Sequence, residues 1–104
     1  MWKKVGCLVL IGVAAQSVHA WEDVNYTGTL ATGAVYCTSE SNLMDFGAYA
    51  QDGDEAGADR MVSSGDCIIA QRQMQAIVIQ EVENLACFLS PSGKPFYTFK
   101  QFIN

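Results

Sequence analysis

The stretch CIIAQRQMQAIVIQEVENLACFL, residues 67–89, decides the fold. It holds three short apolar runs, Cys67-Ile68-Ile69, Ala76-Ile77-Val78-Ile79 and Leu85-Ala86-Cys87-Phe88-Leu89. Polar residues separate them at Gln71 to Gln75 and at Glu83-Asn84, which is the punctuation of strands joined by turns. A rival reading exists, because Met74, Ile77, Val78, Val82, Leu85, Ala86 and Leu89 also fall on one helical face. The β-branched cluster Ile77-Val78-Ile79 and the break at Glu83-Asn84 favour strands. Pro91-Ser92-Gly93-Lys94-Pro95 is a turn, and Phe96-Tyr97-Thr98-Phe99 reads as a last strand. The result is an antiparallel meander of three or four strands. Phe99, Phe102 and Ile103 fit a helical turn that closes one end of it.

Upstream the period changes. Thr38 and Ser39 offer a helix N-cap, and Leu43, Phe46, Gly47 and Ala50 follow on one helical face. Gln51-Asp52-Gly53-Asp54 breaks that helix. Asp54 is placed to cap a second helix with Ala58, Met61 and Val62 on one face, and Gly65 sits where a left-handed C-terminal cap belongs. Two short helices packed as a hairpin are expected. Before them, Trp21 to Tyr36 is polar and rich in Thr and Gly, the pattern of an irregular arm or an edge strand. Asn25-Tyr26-Thr27 matches a glycosylation sequon, which is read as chance because the N-terminal segment is bacterial in style. The expected fold class is α+β: a short helical hairpin packed on a small antiparallel sheet, with one disulfide.

Residues 1–20 read as a cleaved export signal. Lys3 and Lys4 precede the apolar or small run Val5 to Ala15, and Val18-His19-Ala20 supplies small residues at the −3 and −1 positions. The run is 11 residues long, short of the roughly 20 that a spanning helix needs. Cys7 precedes most of this run, with Lys4 where a lipobox has an aliphatic residue, so a lipoprotein signal does not fit. Cleavage after Ala20 leaves a single mature domain, residues 21–104, in a periplasmic or secreted location with no membrane anchor.

That chain has four basic residues, Arg60, Arg72, Lys94 and Lys100, against 11 acids, a formal charge of −7. Such a balance gives no electrostatic footprint for nucleic acid or anionic lipid. The expected partner is a protein, and a basic one if charge guides the encounter. The simpler reading of the acids is a solvated, solubilising surface.

Three cysteines remain after cleavage. Cys37 and Cys67 flank the hairpin and are the expected disulfide, worth about 3–4 kcal/mol in the chain-entropy account. Cys87 lies in an apolar run and is read as a buried free thiol. The alternatives are an intermolecular disulfide in a homodimer, or a Cys67–Cys87 bridge.

Catalysis finds few residues to work with. His19 is the only histidine and leaves with the signal, so no Ser-His or Cys-His pair remains. The cysteine spacings contain no Cys-x-x-Cys motif and no zinc knuckle. Asp52 and Asp54 begin an EF-hand register with Gly57 at the sixth position. Ala56 and Ser63 then occupy the fifth and twelfth positions, where an oxygen ligand and a bidentate Glu are needed. A paired-carboxylate cleft needs more room than one small domain provides. No enzymatic activity, cofactor or metal is therefore expected. In the aromatic tail, Phe96, Phe99 and Phe102 are assigned to the core, and Tyr97, Trp21 and Tyr26 to exposed contacts.

The export signal, the cysteine ahead of a helical hairpin, Ser64-Gly65-Asp66-Cys67 and Phe96-Tyr97-Thr98-Phe99 together resemble small exported proteobacterial proteins of uncharacterised function. The resemblance spans Tyr36 to Ile103 and implies a fold class and a location, with no catalytic residue. The functional expectation is a non-catalytic exported binding protein, of the inhibitor or immunity type, recognising a basic partner protein. Asp52, Asp54, Glu55, Asp59 and Tyr97 are its candidate contacts. The alternative is a structural or assembly component of the cell envelope, dimeric through Cys87 or an exposed strand edge.

Overall fold

The computed structural model describes residues 21–104. The export-signal reading falls on residues 1–20, outside the described residues. From Trp21 onward the order is β1 (Glu22–Leu30), β2 (Val35–Cys37), α1 (Glu40–Asp52), α2 (Glu55–Ser64), β3 (Cys67–Ile69), β4 (Met74–Val82), β5 (Leu85–Leu89) and β6 (Pro95–Phe99), ending in a 3-10 turn, Lys100–Phe102. The strands form one antiparallel sheet in the order β1-β4-β5-β6-β2-β3.

The α+β class holds, but the sheet has six strands where three or four were expected. The difference lies in the chain before the hairpin. β1 spans nine residues, most of them exposed, so it shows no continuous apolar alternation. It exists because β4 supplies a partner for seven of its residues, from Glu22↔Glu81 to Leu30↔Met74. Residues 67–89 are strands, as the β-branched cluster indicated.

The helical hairpin follows from its caps. Ser39 takes an extended backbone, and its Oγ accepts from the Asn42 N–H at 3.0 Å. Asp54 does the same for α2, its Oδ1 accepting from the Gly57 N–H at 3.0 Å. Gly53 and Gly65 end the two helices with φ of 74° and 86°, in the region that costs a side chain energy. Gly57 sits beneath the Tyr49 ring: a Cβ placed there would lie 2.5 Å from Tyr49 Cδ1. The helices therefore cross at a position only glycine fits.

Cys37 and Cys67 tie the base of this excursion. They are opposite residues of the β2–β3 pair and form the disulfide expected from the sequence, 30 residues apart in the chain. Cys67–Cys87 is thereby excluded. Cys87 is buried in β5 as expected, but no cysteine among the described residues is a free thiol, which corrects that part of its reading.

Side chains alternate between two clusters across the sheet. Leu85 and Cys87 join Val35, Cys37, Cys67, Ile79, Val82 and Tyr97 on the face that receives Leu43 and Met61 of the hairpin. Ala86 and Phe88 join Leu30, Val78 and several alanines on the other, where Tyr36 packs edge-on against Phe88 and Phe96. Thr98, fully buried there, donates its hydroxyl to the Val35 carbonyl at 2.8 Å, the pairing that makes such burial tolerable. Residues past the 3-10 turn return to β1, where Ile103 bridges Leu30.

Candidate acidic binding surface

Charge is the chemistry this chain carries, and the fold sorts it into two places. The first is the tip of the hairpin. Asp52 ends α1, Asp54 caps α2, Glu55 opens it, and Asp59 stands one turn further on. All four are exposed. Glu55 and Asp59 are an i, i+4 like-charge pair on one helix face, an arrangement that works against helix stability. Asp52 opposes the helix dipole, since it lies in the last turn of α1 where no basic residue offsets it. Asp54 differs from the others because its carboxylate is occupied by the cap. The four sequence-selected acids are thus brought together, three with carboxylates directed to solvent chemistry and one with a structural bond.

Tyr97 is not among them. It is 3% exposed, lies between Cys37 and Cys87 in the sheet register, and meets Trp21 edge-on with ring centroids 5.7 Å apart. Burial, and then the Glu40 carboxylate nearby, push its phenol pKa up. This corrects its assignment as an exposed contact. Tyr97 is buried because it lies on the face of the sheet that receives Leu43 and Met61 of the hairpin, with Trp21 packed against it. Of the other two aromatics, Tyr26 is 41% exposed and Trp21 is half-buried. Phe96, Phe99 and Phe102 are half-buried and pack against the core clusters.

The second acidic place was not found from sequence. Glu22 of β1 lies directly opposite Glu81 of β4, and Asp23 lies opposite Gln80. No local motif signals this pairing, because it joins residues far apart in the chain. Glu81 accepts a short hydrogen bond from the Tyr26 hydroxyl and an ion pair from Lys100 Nζ at 3.4 Å. Burial first, and then Glu81, raise the Tyr26 phenol to about 12. Gln80 is 2% exposed; its Nε2 donates to Asp23 Oδ1 at 3.0 Å, while its Oε1 has no hydrogen-bond partner among the described residues.

Other chemistry is sparse. Among the described residues no group of three or more His, Cys, Asp or Glu is placed to hold a metal ion, and no helix is long and apolar enough to cross a membrane. A shallow hollow of about 460 Å³ beside α2 is lined by Tyr49, Arg60, Met61, Ser64 and Asp66, without a nucleophile–base pair. Comparison with family models, curated proteins and solved structures returns no match.

Proposed function

We propose that this chain is a non-catalytic exported binding protein that recognises a basic protein partner, in the manner of an inhibitor or immunity-type protein. The observation that carries this reading is the hairpin tip. Asp52, Glu55 and Asp59 are exposed there, Asp52 against the dipole at the end of α1 and Asp59 one turn from the like charge of Glu55, and Arg60 is the one basic residue in either helix. Surface charge held against local stability is a common mark of binding function. A field of one sign raises the rate of encounter with a complementary partner. The disulfide is compatible with an oxidising compartment.

An envelope assembly component, dimeric through Cys87 or an exposed strand edge, is the competing reading, and its Cys87 route is the weaker. Against it stands the burial of Cys87 at 0% exposure inside β5, between β4 and β6.

The test is affinity capture from envelope extract with the purified chain, at low and high salt. The proposal expects a basic protein that is retained at low salt and released as salt rises. Retention of acidic or apolar proteins alone, insensitive to salt, would overturn it.

A further inference from the structure

β1 is the outermost strand of the sheet, and the chain already adds backbone to its outer edge at one end. Thr29 donates its N–H to the Asn104 carbonyl and accepts from the Asn104 N–H, each at 3.0 Å, and Leu30 bridges Ile103 in antiparallel sense. Backbone groups alternate between the two sides of a strand. Thr27 therefore directs its N–H and C=O to the same outer side as Thr29, and among the described residues no strand lies there. An exposed edge of this kind is a template for an added strand.

What lies beside the edge selects the occupant. Glu22 and Glu81 face each other across the β1–β4 pair, and like charges directly opposite destabilise a sheet. Lys100 reaches Glu81, while Glu22 is exposed beside the edge. At the other end a shallow pocket of about 310 Å³, lined by Thr27, Thr29, Gln73, Gln75 and Asn104, sits beside the edge and suits a polar side chain.

We infer that the outer edge of β1, from Glu22 to Thr27, takes an extended basic segment of a partner protein as an added antiparallel strand. The segment runs in the same sense as Ile103–Asn104. Its backbone pairs with Thr27, and a lysine or arginine further along meets Glu22. The irregularity between Asp23 and Tyr26 interrupts the ladder, so backbone pairing is short and charge supplies the rest. This rests on the basic-partner reading above and gives it a second, separate surface.

The probe is a blocked hexapeptide alternating lysine with valine, added to the purified chain while amide exchange is followed residue by residue. Saturable binding with slowed exchange at Thr27 is expected. Glu22→Lys, which places opposite charges across the Glu22–Glu81 pair and so preserves the sheet, should weaken binding by about tenfold or more. A glutamate–valine peptide should not bind. Unchanged exchange at Thr27 under saturating lysine–valine peptide, or shifts confined to residues 40–64, overturns the inference. Thr27 protection that grows with protein concentration in the absence of peptide also overturns it, since the occupant would then be a second copy. A variant carrying Asp52→Lys, Glu55→Lys and Asp59→Lys separates the two readings: it should lose partner capture by the hairpin yet keep the peptide effect at Thr27.

Discussion

Cys37 of β2 and Cys67 of β3 stand directly opposite each other, with Cα atoms 4.0 Å apart, so one covalent bond closes the whole helical excursion at its base. β2 and β3 are three residues each, too short to hold that excursion by ladder hydrogen bonds alone. The double variant Cys37→Ala/Cys67→Ala should lose about 3–4 kcal/mol of stability, read as a lower urea midpoint. Amide exchange should rise first in α1 and α2. A uniform rise across the sheet would show that the bond does more than anchor the hairpin.

Gly57 and Tyr49 define how closely α1 and α2 approach. Replacing a helical glycine by alanine ordinarily gains up to about 1 kcal/mol. At Gly57 the new methyl would meet the Tyr49 ring at 2.5 Å, so Gly57→Ala should instead destabilise by about 1–3 kcal/mol. In a Tyr49→Ala background the same substitution should become neutral or favourable, a coupling that a thermodynamic cycle measures.

Tyr26 makes the β1–β4 pair sensitive to alkali. Burial and the bond to Glu81 raise its phenol from 10.0 to about 12, so the folded chain holds this proton more tightly than the unfolded chain does. Its stabilising contribution is complete below pH 10.0 and is lost as pH rises from there through about 12. Glu81→Gln removes the hydrogen-bonding carboxylate and should bring the Tyr26 titration, followed by phenolate absorbance, back towards the ordinary tyrosine range. No change in that titration would show that burial acts alone.

Glu83 opens the β4–β5 turn with φ of 51°, and among the described residues it is the one non-glycine position at positive φ. Glu83→Gly should relieve the left-handed strain and raise stability by about 0.5–1 kcal/mol, the flexibility of glycine cancelling part of the gain. Thermal unfolding of the two chains measures the difference.

The hairpin was legible in the sequence because its signals are local. Ser39, Gly53, Asp54 and Gly65 each act within a few residues, and each acts as a cap in the structure. β1 was not legible to the same degree, since its exposed polar residues become a strand only through β4, and a pairing partner leaves no mark in the strand itself. For the same reason the opposition of Glu22 and Glu81 was invisible, whereas the acids from Asp52 to Asp59 are neighbours in sequence and lie together at the hairpin tip. Tyr97 shows a different limit: alternation assigns it a face but does not say that both faces of β6 are covered.

If exposed acids on the hairpin draw in a basic partner, charge sets the speed of encounter. The most direct measurement is the association rate with the captured partner, followed across a salt series, for the native chain and for the Asp52→Lys, Glu55→Lys, Asp59→Lys variant. The native rate should fall about tenfold or more between low and high salt, and the variant rate should be slow at low salt and nearly flat. Equal rates for the two chains, or a native rate independent of salt, would contradict this reading.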